Sequence, residues 1–372
     1  MNNDLLLYDI ALTFLPGIGN INAKKIVTRF GSSKEIFDIK IKDLEEVPGI
    51  GQISAKRIYS SFNSALALAE EELKYIFNND INIISISDAE YPTRLKECVD
   101  APFLLYYKGK PNFESEKIIS IVGTRHPTNY GINFAEKLVS DLAEKYPNII
   151  IISGLALGID IVAHKSAIKN DVETWAILGH GLSYMYPAKH LKIAQTIYEN
   201  KGAIICDFPH LTKPDAPNFP QRNRIVAGLS DAVIVVESGI KGGSIITATI
   251  ANSYNRDVFA LPGNINSKCS SGCNNLIKTS RANLIESIED LEYLMNWTCE
   301  KNNTIKPKII NLNDFNDNEK IIIEILMKNN TIEIDELTNI SGLNPNTLSL
   351  CLLELELNGI IKSMPGKMFA IK

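Results

Sequence analysis

No stretch of this sequence is apolar for long enough to cross a bilayer. The longest apolar runs have about the length of a β-strand, whereas a transmembrane helix needs about 20 such residues. The N-terminus, MNNDLLLYDIALTF, lacks the basic region and the small-residue cleavage site of a signal peptide, and its apolar spacing suits an amphipathic helix. We therefore expect a protein without membrane spans that stays in the cytoplasm.

The sequence also lacks paired cysteines with metal-site spacing and an excess of positive charge. The six cysteines are scattered and show no CxxC spacing, which indicates reduced thiols. Cys269 and Cys273 are the only close pair, and a metal or redox role for them is the less favoured interpretation. A net charge of -5 argues against a protein coated in positive potential. If the partner is a nucleic acid, the positive charge must be concentrated locally.

The motifs of several nucleotide-dependent enzymes are missing. The dinucleotide motif G-x-G-x-x-G does not follow the first predicted strand, so NAD is not predicted as a cofactor. A Walker A motif is absent, and no Ser, His and Asp set has the spacing of a hydrolase. We interpret the five histidines as structural or loop residues: His126, His164, His180, His190 and His210. No catalytic residue, cofactor or metal site is therefore predicted.

The length and composition predict a globular protein of several domains. A chain of 372 residues, 45% hydrophobic and 22% charged, is too long for one ordinary core. The sequence patterns divide it into a helical segment, an α/β domain, a polar linker and a C-terminal domain. Their predicted bounds are residues 1–78, 79–297, 298–316 and 317–372.

The first segment contains an internal repeat. LPGIGNINAKKIV at 15–27 returns as VPGIGQISAKRIY at 47–59, with both Gly-Ile-Gly turns and both basic pairs retained. Each copy predicts two helices around a tight turn and resembles the helix-hairpin-helix motif, whose glycines let backbone N–H groups approach a phosphate. This resemblance implies contact with the DNA backbone. A purely structural helix pair is the alternative, which the acidic residues around the repeat favour.

The middle segment alternates short apolar strands with stretches of helical length. The strands are continuously apolar, which is typical of a parallel sheet covered on both faces. This pattern predicts a doubly wound α/β domain. The preceding INIISIS and YPTRLKECVDAPFLLYYKG are expected to form an extension packed on the same sheet. The predicted strands are 118–122, 148–153, 174–178, 203–206, 232–237 and 258–262.

The last segment has a winged-helix pattern. Three predicted helices precede IIKSMPGKMFAIK, which predicts a two-stranded wing around Pro365-Gly366. Such folds usually bind DNA through the third helix. Here that helix offers Glu354 and Glu356 and no basic residue, so contact with phosphate would be repulsive. We therefore interpret this domain as a protein-binding module.

Basic residues and glycines follow the strands of the middle segment. Ligands of a parallel sheet bind outside the carboxyl ends of its strands, so these residues are expected to meet at one edge. An elongated polyanion would contact several strand ends at once, and a phenylalanine could stack on the bases of single-stranded nucleic acid. The candidate residues are Arg125; Ser153, Gly154 and Lys165; Lys189; Phe208, Lys213, Phe219, Arg222, Asn223 and Arg224; and Lys241 with Ser244, the last as a helix cap.

Seven ordered blocks resemble the DprA/Smf family, the DNA-processing proteins of natural transformation. The blocks are VGTRHPTNYG, SGLALGIDIVAH, GLSYMYP, FPQRNRIVAGLSDAVIVVE, GGSIITATIA, VFALPGNI and SGCNNLI. The resemblance implies an extended Rossmann-like fold that binds single-stranded DNA without turnover and without a cofactor. It also implies a homodimer that protects incoming DNA and loads the recombinase RecA, with SSB as a further partner.

The family pattern can be carried over position by position. Arg125 matches the family's Gly-x-Arg arginine, which contacts phosphate, and residues 222–224 match its Arg-Asn-Arg element. Ser153 and Gly154 match a small loop that lets a nucleotide approach. Three residues depart from the pattern: Ser183 stands where Asp is usual, His190 where Asn is usual and Gly242 where Ser is usual. These departures leave details of the pocket open.

Two other functions compete with strand binding. Related Rossmann-like domains include phosphoribohydrolases, which carry a PGGxGT loop that this sequence lacks. In an adaptor protein, the arginines would only bridge a dimer, and the helix-hairpin-helix copies would contact DNA. Arg125→Ala distinguishes the adaptor, because loss of strand binding with an intact dimer would exclude it.

Overall fold

The repeat folds as two helix-hairpin-helix units, as predicted. The computed structural model describes residues 3–297, 315–329, 331–364 and 367–371. Gly17 and Gly49 have φ angles of +79° and +98°, so both hairpin turns favour glycine. The N-terminal helices are α1 (Asn3–Phe14), α2 (Asn20–Phe30), α3 (Ile41–Glu45), α4 (Gln52–Ser60) and α5 (Phe62–Asn78), with a 3-10 helix at Lys34–Phe37.

The first hairpin unit is docked on the sheet domain. Lys24 Nζ donates to the carbonyl of Val99 at 3.2 Å, and the backbone N–H of Phe103 donates to Asn20 Oδ1 at 2.9 Å. Ile10 of α1 and Phe103 belong to one apolar core, so residues 1–299 form one compact unit. The predicted boundary between residues 78 and 79 therefore separates two segments that share a core, and it stays a prediction.

A nine-stranded sheet lies at the centre of this unit. From β6 to β9 its seven neighbouring strands are parallel, while β1 and β2 add an antiparallel edge beside β6. This edge is the extension predicted ahead of the α/β pattern. The strands are β1 (Asn82–Ser85), β2 (Leu104–Gly109), β3 (Ile118–Val122), β4 (Ile150–Ser153), β5 (Glu173–Ile177), β6 (Ala203–Cys206), β7 (Ala232–Val235), β8 (Asp257–Ala260) and β9 (Asn283–Leu284), in the order β1-β2-β6-β5-β4-β3-β7-β8-β9.

Helices cover both faces of the sheet. Successive residues of β3 enter different cores, with Ile118 and Val122 on one face and Ile119 and Ile121 on the other. The helices are α6 (Thr93–Lys96), α7 (Asn129–Lys145), α8 (Ile159–Lys169), α9 (Leu191–Glu199), α10 (Asn218–Gly228), α11 (Gly243–Ser253), α12 (Ser271–Lys278) and α13 (Ile288–Leu294). The strand order reverses between β3 and β7, so a crevice opens at the carboxyl ends of these strands.

The described residues from 315 onward form a second compact unit with the predicted winged-helix fold. Asn316 caps its first helix by accepting a hydrogen bond from the Glu319 backbone N–H at 2.9 Å. Its elements are α14 (Asp317–Lys328), β10 (Ile332–Glu333), α15 (Ile334–Ser341), α16 (Pro345–Leu357), β11 (Ile361–Met364) and β12 (Met368–Ile371). Pro365-Gly366 and most of the predicted linker 298–316 lie outside the described residues.

Across the described parts of the chain, every helix is too short or too polar to span a bilayer.

Candidate nucleic-acid interface

A cleft of about 850 Å³ opens at the carboxyl ends of the central strands. The loops after β3, β4, β5, β6 and β7 and the first turns of α10 and α11 form its walls. Two carboxylates also line it, Asp160 and Asp215. Six of the predicted site residues line the cleft: Arg125, Gly154, Phe219, Arg222, Asn223 and Ser244.

Arg125 and two aromatic rings form the rim of this cleft. The exposed Arg125 guanidinium lies 5.9 Å from the centroid of the Phe219 ring, and Phe219 lies 5.7 Å from Tyr186 at an angle of 40°. Tyr186 is 48% exposed, so one side of this ring pair can meet a ligand. The ion pairs found among the described residues do not include Arg125. Sequence reasoning missed Tyr186, although it follows a predicted strand in the GLSYMYP block.

Arg222 lies in the cleft wall, but its guanidinium is already bonded to the protein. The side chain is buried, and Nη1 donates to the carbonyls of Gly154, at 2.9 Å, and Ile177. Burial lowers the pKa of Arg222, and the nearby Asp160 carboxylate opposes this shift. Arg222 therefore ties the ends of β4 and β5 together and places a positive charge behind the cleft surface.

The expectation that Arg224 lies at the same rim is wrong. Its buried guanidinium pairs with the buried Asp207 carboxylate and donates to the Asp100 carbonyl. Helical residues two positions apart project about 200° from each other, so Arg222 and Arg224 cannot face one ligand from α10. The two arginines brace different sides of the helix.

The structure gives Ser153, Gly154 and Ser244 roles that differ from the predicted ones. Ser153 is buried and donates to the Ile121 carbonyl at 2.6 Å, so its hydroxyl faces the interior. A side chain at Gly154 would collide with the Arg222 guanidinium, so this glycine makes room for the arginine. Ser244 does not cap α11, because Gly242 is the N-cap residue and the Ser244 hydroxyl donates to Ser238 Oγ at 2.8 Å.

A basic groove of about 660 Å³ continues from the cleft, with Arg125 and His126 lining both. Lys165 of α8 and Lys189 lie in it, as predicted, together with Lys192 of α9, which the prediction missed. All three lysines are exposed. Among the described residues that line the groove, none is acidic. The start of α8 can lie this close to Arg125 because Gly158, with φ +83°, has no side chain to collide with the Thr124 carbonyl.

The remaining candidates lie beside the cleft rather than in it. Lys213 and Lys241 are exposed, next in sequence to the lining residues Pro214 and Gly242. Phe208 is half-buried and its carbonyl accepts from the Cys206 thiol at 3.4 Å. The structure therefore brings Lys213 and Lys241 near the path of a ligand and leaves Phe208 outside the lining.

Two buried titratable groups near the site, His164 and Cys273, are held neutral. Burial, with the charge of Arg222, lowers the pKa of His164 to about 3, and its Nδ1 lies 2.7 Å from Thr174 Oγ1. Burial raises the pKa of the Cys273 thiol to about 12, which disfavours the thiolate needed for metal or redox chemistry. No group of three potential metal ligands occurs within the described residues.

Three known families match consecutive parts of the chain. DNA recombination-mediator protein A matches residues 82–296, the DprA winged helix domain matches residues 316–367, and the SAM-like helix-hairpin-helix tandem matches residues 9–64. Protein Smf of Escherichia coli K12 is 33% identical over 304 residues, which are 80% of this chain and 79% of that protein. DNA processing protein DprA of Streptococcus pneumoniae R6 is 38% identical over 207 residues, or 56% of this chain and 72% of that protein.

Two solved structures share the fold. DprA from Streptococcus pneumoniae matches with a TM-score of 0.65 and 30% identity, over 79% of this chain and 97% of that one. DNA processing protein A from Helicobacter pylori, studied for its single-stranded DNA binding mode, matches with a TM-score of 0.52 and 29% identity, over 58% of this chain and 96% of that one. The chain therefore belongs to the DNA recombination-mediator protein A family, the DprA/Smf proteins.

Proposed function

We propose that this protein binds single-stranded DNA, without regard to sequence, along the cleft and the basic groove. The observation that carries the proposal is the junction at Arg125. The Arg125 guanidinium has no ion-pair partner among the described residues and lies over the Phe219 ring. Arg125 also lines both the cleft and the groove of exposed lysines, so it lies where the two meet. Phosphates attract such cations whatever the base, and aromatic rings stack on any unpaired base.

In the proposed complex the strand runs from the groove into the cleft. Arg125, Lys165, Lys189 and Lys192 neutralise consecutive phosphates, and the Phe219–Tyr186 pair receives an unstacked base. A duplex keeps its bases stacked on each other, so only a single strand can use the ring pair. This difference supports a preference for single strands over duplex DNA.

Within this proposal the protein is a mediator and not an enzyme. Asp160 in the cleft accepts a hydrogen bond from the Gly154 backbone N–H at 3.2 Å. Burial raises the pKa of Asp160 and the charge of Arg222 opposes this shift, which is a structural arrangement. Family membership supports a role in DNA processing during natural transformation, in which a homodimer in the cytoplasm protects incoming DNA and loads RecA, with SSB present on the same strands.

Removal of the Arg125 side chain tests the proposal. Loss of one charged hydrogen bond costs about 1.5–3 kcal/mol, so Arg125→Ala in the full chain should bind labelled oligo-dT roughly 10- to 150-fold more weakly in fluorescence anisotropy. Arg281→Ala, at an exposed arginine that does not line the cleft or groove, is the matched control and should bind like the native protein. Light scattering on both variants reports the oligomeric state. Native affinity in Arg125→Ala would refute the proposed site, and a lost dimer would favour the adaptor.

A further inference from the structure

The loop between β6 and α10 forms one wall of the cleft. Its residues Pro214, Asp215 and Ala216 line the cleft, and Phe219 follows directly in the first turn of α10. The position of this loop therefore sets the position of the ring that is proposed to stack on a base.

Helix α5 of the N-terminal segment binds this loop through hydrogen bonds to Glu72. The Glu72 side chain is 2% exposed. Its Oε1 accepts from the His210 backbone N–H at 2.8 Å, and its Oε2 accepts from the His210 ring Nδ1 at 2.5 Å. One helical turn on, the Tyr75 ring stacks on the His210 ring with centroids 4.1 Å apart and an angle of 13°.

A carboxylate buried in this way needs both hydrogen bonds, because an unpaired buried charge is costly. Both donors belong to His210, so the loop cannot move away without leaving the Glu72 charge buried and without partners. We call these two hydrogen bonds, which join Glu72 of α5 to His210 in the loop of the cleft wall, the Glu72–His210 latch.

The latch also reaches the second aromatic ring. The His210 carbonyl accepts from the Ser183 backbone N–H at 3.3 Å, and the Gly181 backbone N–H donates to the Thr212 carbonyl at 2.9 Å. A side chain at Gly181 would collide with the Pro209 and His210 carbonyls, so the two loops are in close contact. The loop that leads to Tyr186 is thus fixed to the loop that Glu72 holds.

We propose that Glu72 is a positioning residue for single-stranded DNA binding: α5, none of whose described residues lines the cleft, holds the Phe219–Tyr186 pair in place through the Glu72–His210 latch. The inference rests on the proposed function. It gives the N-terminal helices a role in strand binding that requires no contact between them and DNA.

Glu72→Gln tests the latch, because glutamine keeps the size of the side chain but loses the charge that pairs with the imidazole. Its affinity for oligo-dT should fall roughly 2- to 30-fold, the range for residues that act on a ligand without touching it. Hydrogen exchange of the backbone amides at 207–217 should become faster. Glu71→Gln, at an exposed position next to it, is the control and should change neither quantity.

A double-mutant cycle with Phe219→Leu separates positioning from general destabilisation. If Glu72 acts through the ring, the double variant loses less affinity than the sum of the single losses. Additive losses would overturn the inference, and so would native affinity in Glu72→Gln together with faster exchange of the loop. If Glu72→Gln does not fold, Tyr75→Leu takes its place in the cycle with the same expectations. Failure of the proposed function would appear separately, as native affinity in Arg125→Ala.

Discussion

Arg222 and Arg224 are alike in sequence, yet each is bonded to a different part of the protein. Arg222 binds carbonyls at the ends of two strands behind the cleft, and Arg224 pairs with Asp207 on another side of α10. The Asp207 carboxylate is buried. Its Oδ2 accepts from Arg224, and its Oδ1 has no hydrogen-bond partner among the described residues. The positive charge of Arg224 therefore stabilises the buried Asp207 carboxylate.

Arg224→Ala should cost stability rather than strand affinity. Removing one partner of a buried ion pair typically costs about 3–5 kcal/mol, because the other charge stays buried. We expect a correspondingly lower free energy of unfolding in urea, while the folded fraction binds oligo-dT like the native protein. Arg224→Leu/Asp207→Leu should recover part of the stability, since no buried charge is left alone. Weaker binding by Arg224→Ala with unchanged stability would show instead that Arg224 contacts the strand.

At the scale of elements, local sequence patterns predicted the architecture well. The Gly-Ile-Gly repeat predicted two hairpin units, and continuous apolar strands predicted the parallel sheet, because both depend on residues close in sequence. The contacts that place the elements were not predictable in this way. Glu72 and His210 are 138 positions apart, and no periodicity indicates that they meet. Arg224 and Asp207 are only 17 positions apart, but Asp207 lies in the loop before the helix, where no periodic pattern predicts the direction of a side chain.

Asp9 of α1 gives the docked helices a pH-dependent stability. Its side chain is buried and accepts from Ser33 Oγ at 2.5 Å, and burial raises its pKa from 3.8 to about 6. Between these values the folded chain keeps a proton that the unfolded chain has lost, so stability falls as the pH rises through this window. Above pH 6 the ionised Asp9 costs about 3 kcal/mol.

Asp9→Asn should remove this pH dependence, because the amide stays neutral and its oxygen can still accept from Ser33. Urea unfolding of both proteins between pH 4 and pH 8 measures the difference. The variant should gain stability relative to the native chain as the pH rises from 4 to 6 and keep the gain above it. Asp38→Asn, at an exposed position, is the control. A constant difference between Asp9→Asn and the native chain at all pH values would contradict the raised pKa.

For the whole molecule, the net negative charge repels the polyanion that we propose as its ligand. The chain carries 43 acidic and 38 basic residues, so its average field does not attract DNA. Exposed charges act only over about 10 Å at 0.1 M salt, however, and the described lining of the groove contains cations and no acid. The charges that line the groove, and not the net charge of the chain, therefore determine the attraction for DNA. The winged-helix domain adds no attraction, because it is acidic and exposes Glu354 and Glu356 on α16.

This reasoning predicts how binding responds to salt. For single strands the logarithm of affinity falls against the logarithm of salt concentration with a slope of about -0.7 for each phosphate neutralised. Replacing Lys165, Lys189 and Lys192 together with glutamine should make the slope shallower by about 2, because three phosphate contacts are lost. Replacing the exposed Lys42, Lys96 and Lys278 changes the net charge equally but lies outside the groove, so it should leave the slope unchanged. Anisotropy titrations of oligo-dT between 50 and 300 mM NaCl, roughly spanning the range in which such slopes are resolved, compare the two triple variants. Equal slopes for both would mean that net charge, and not the groove, holds the strand.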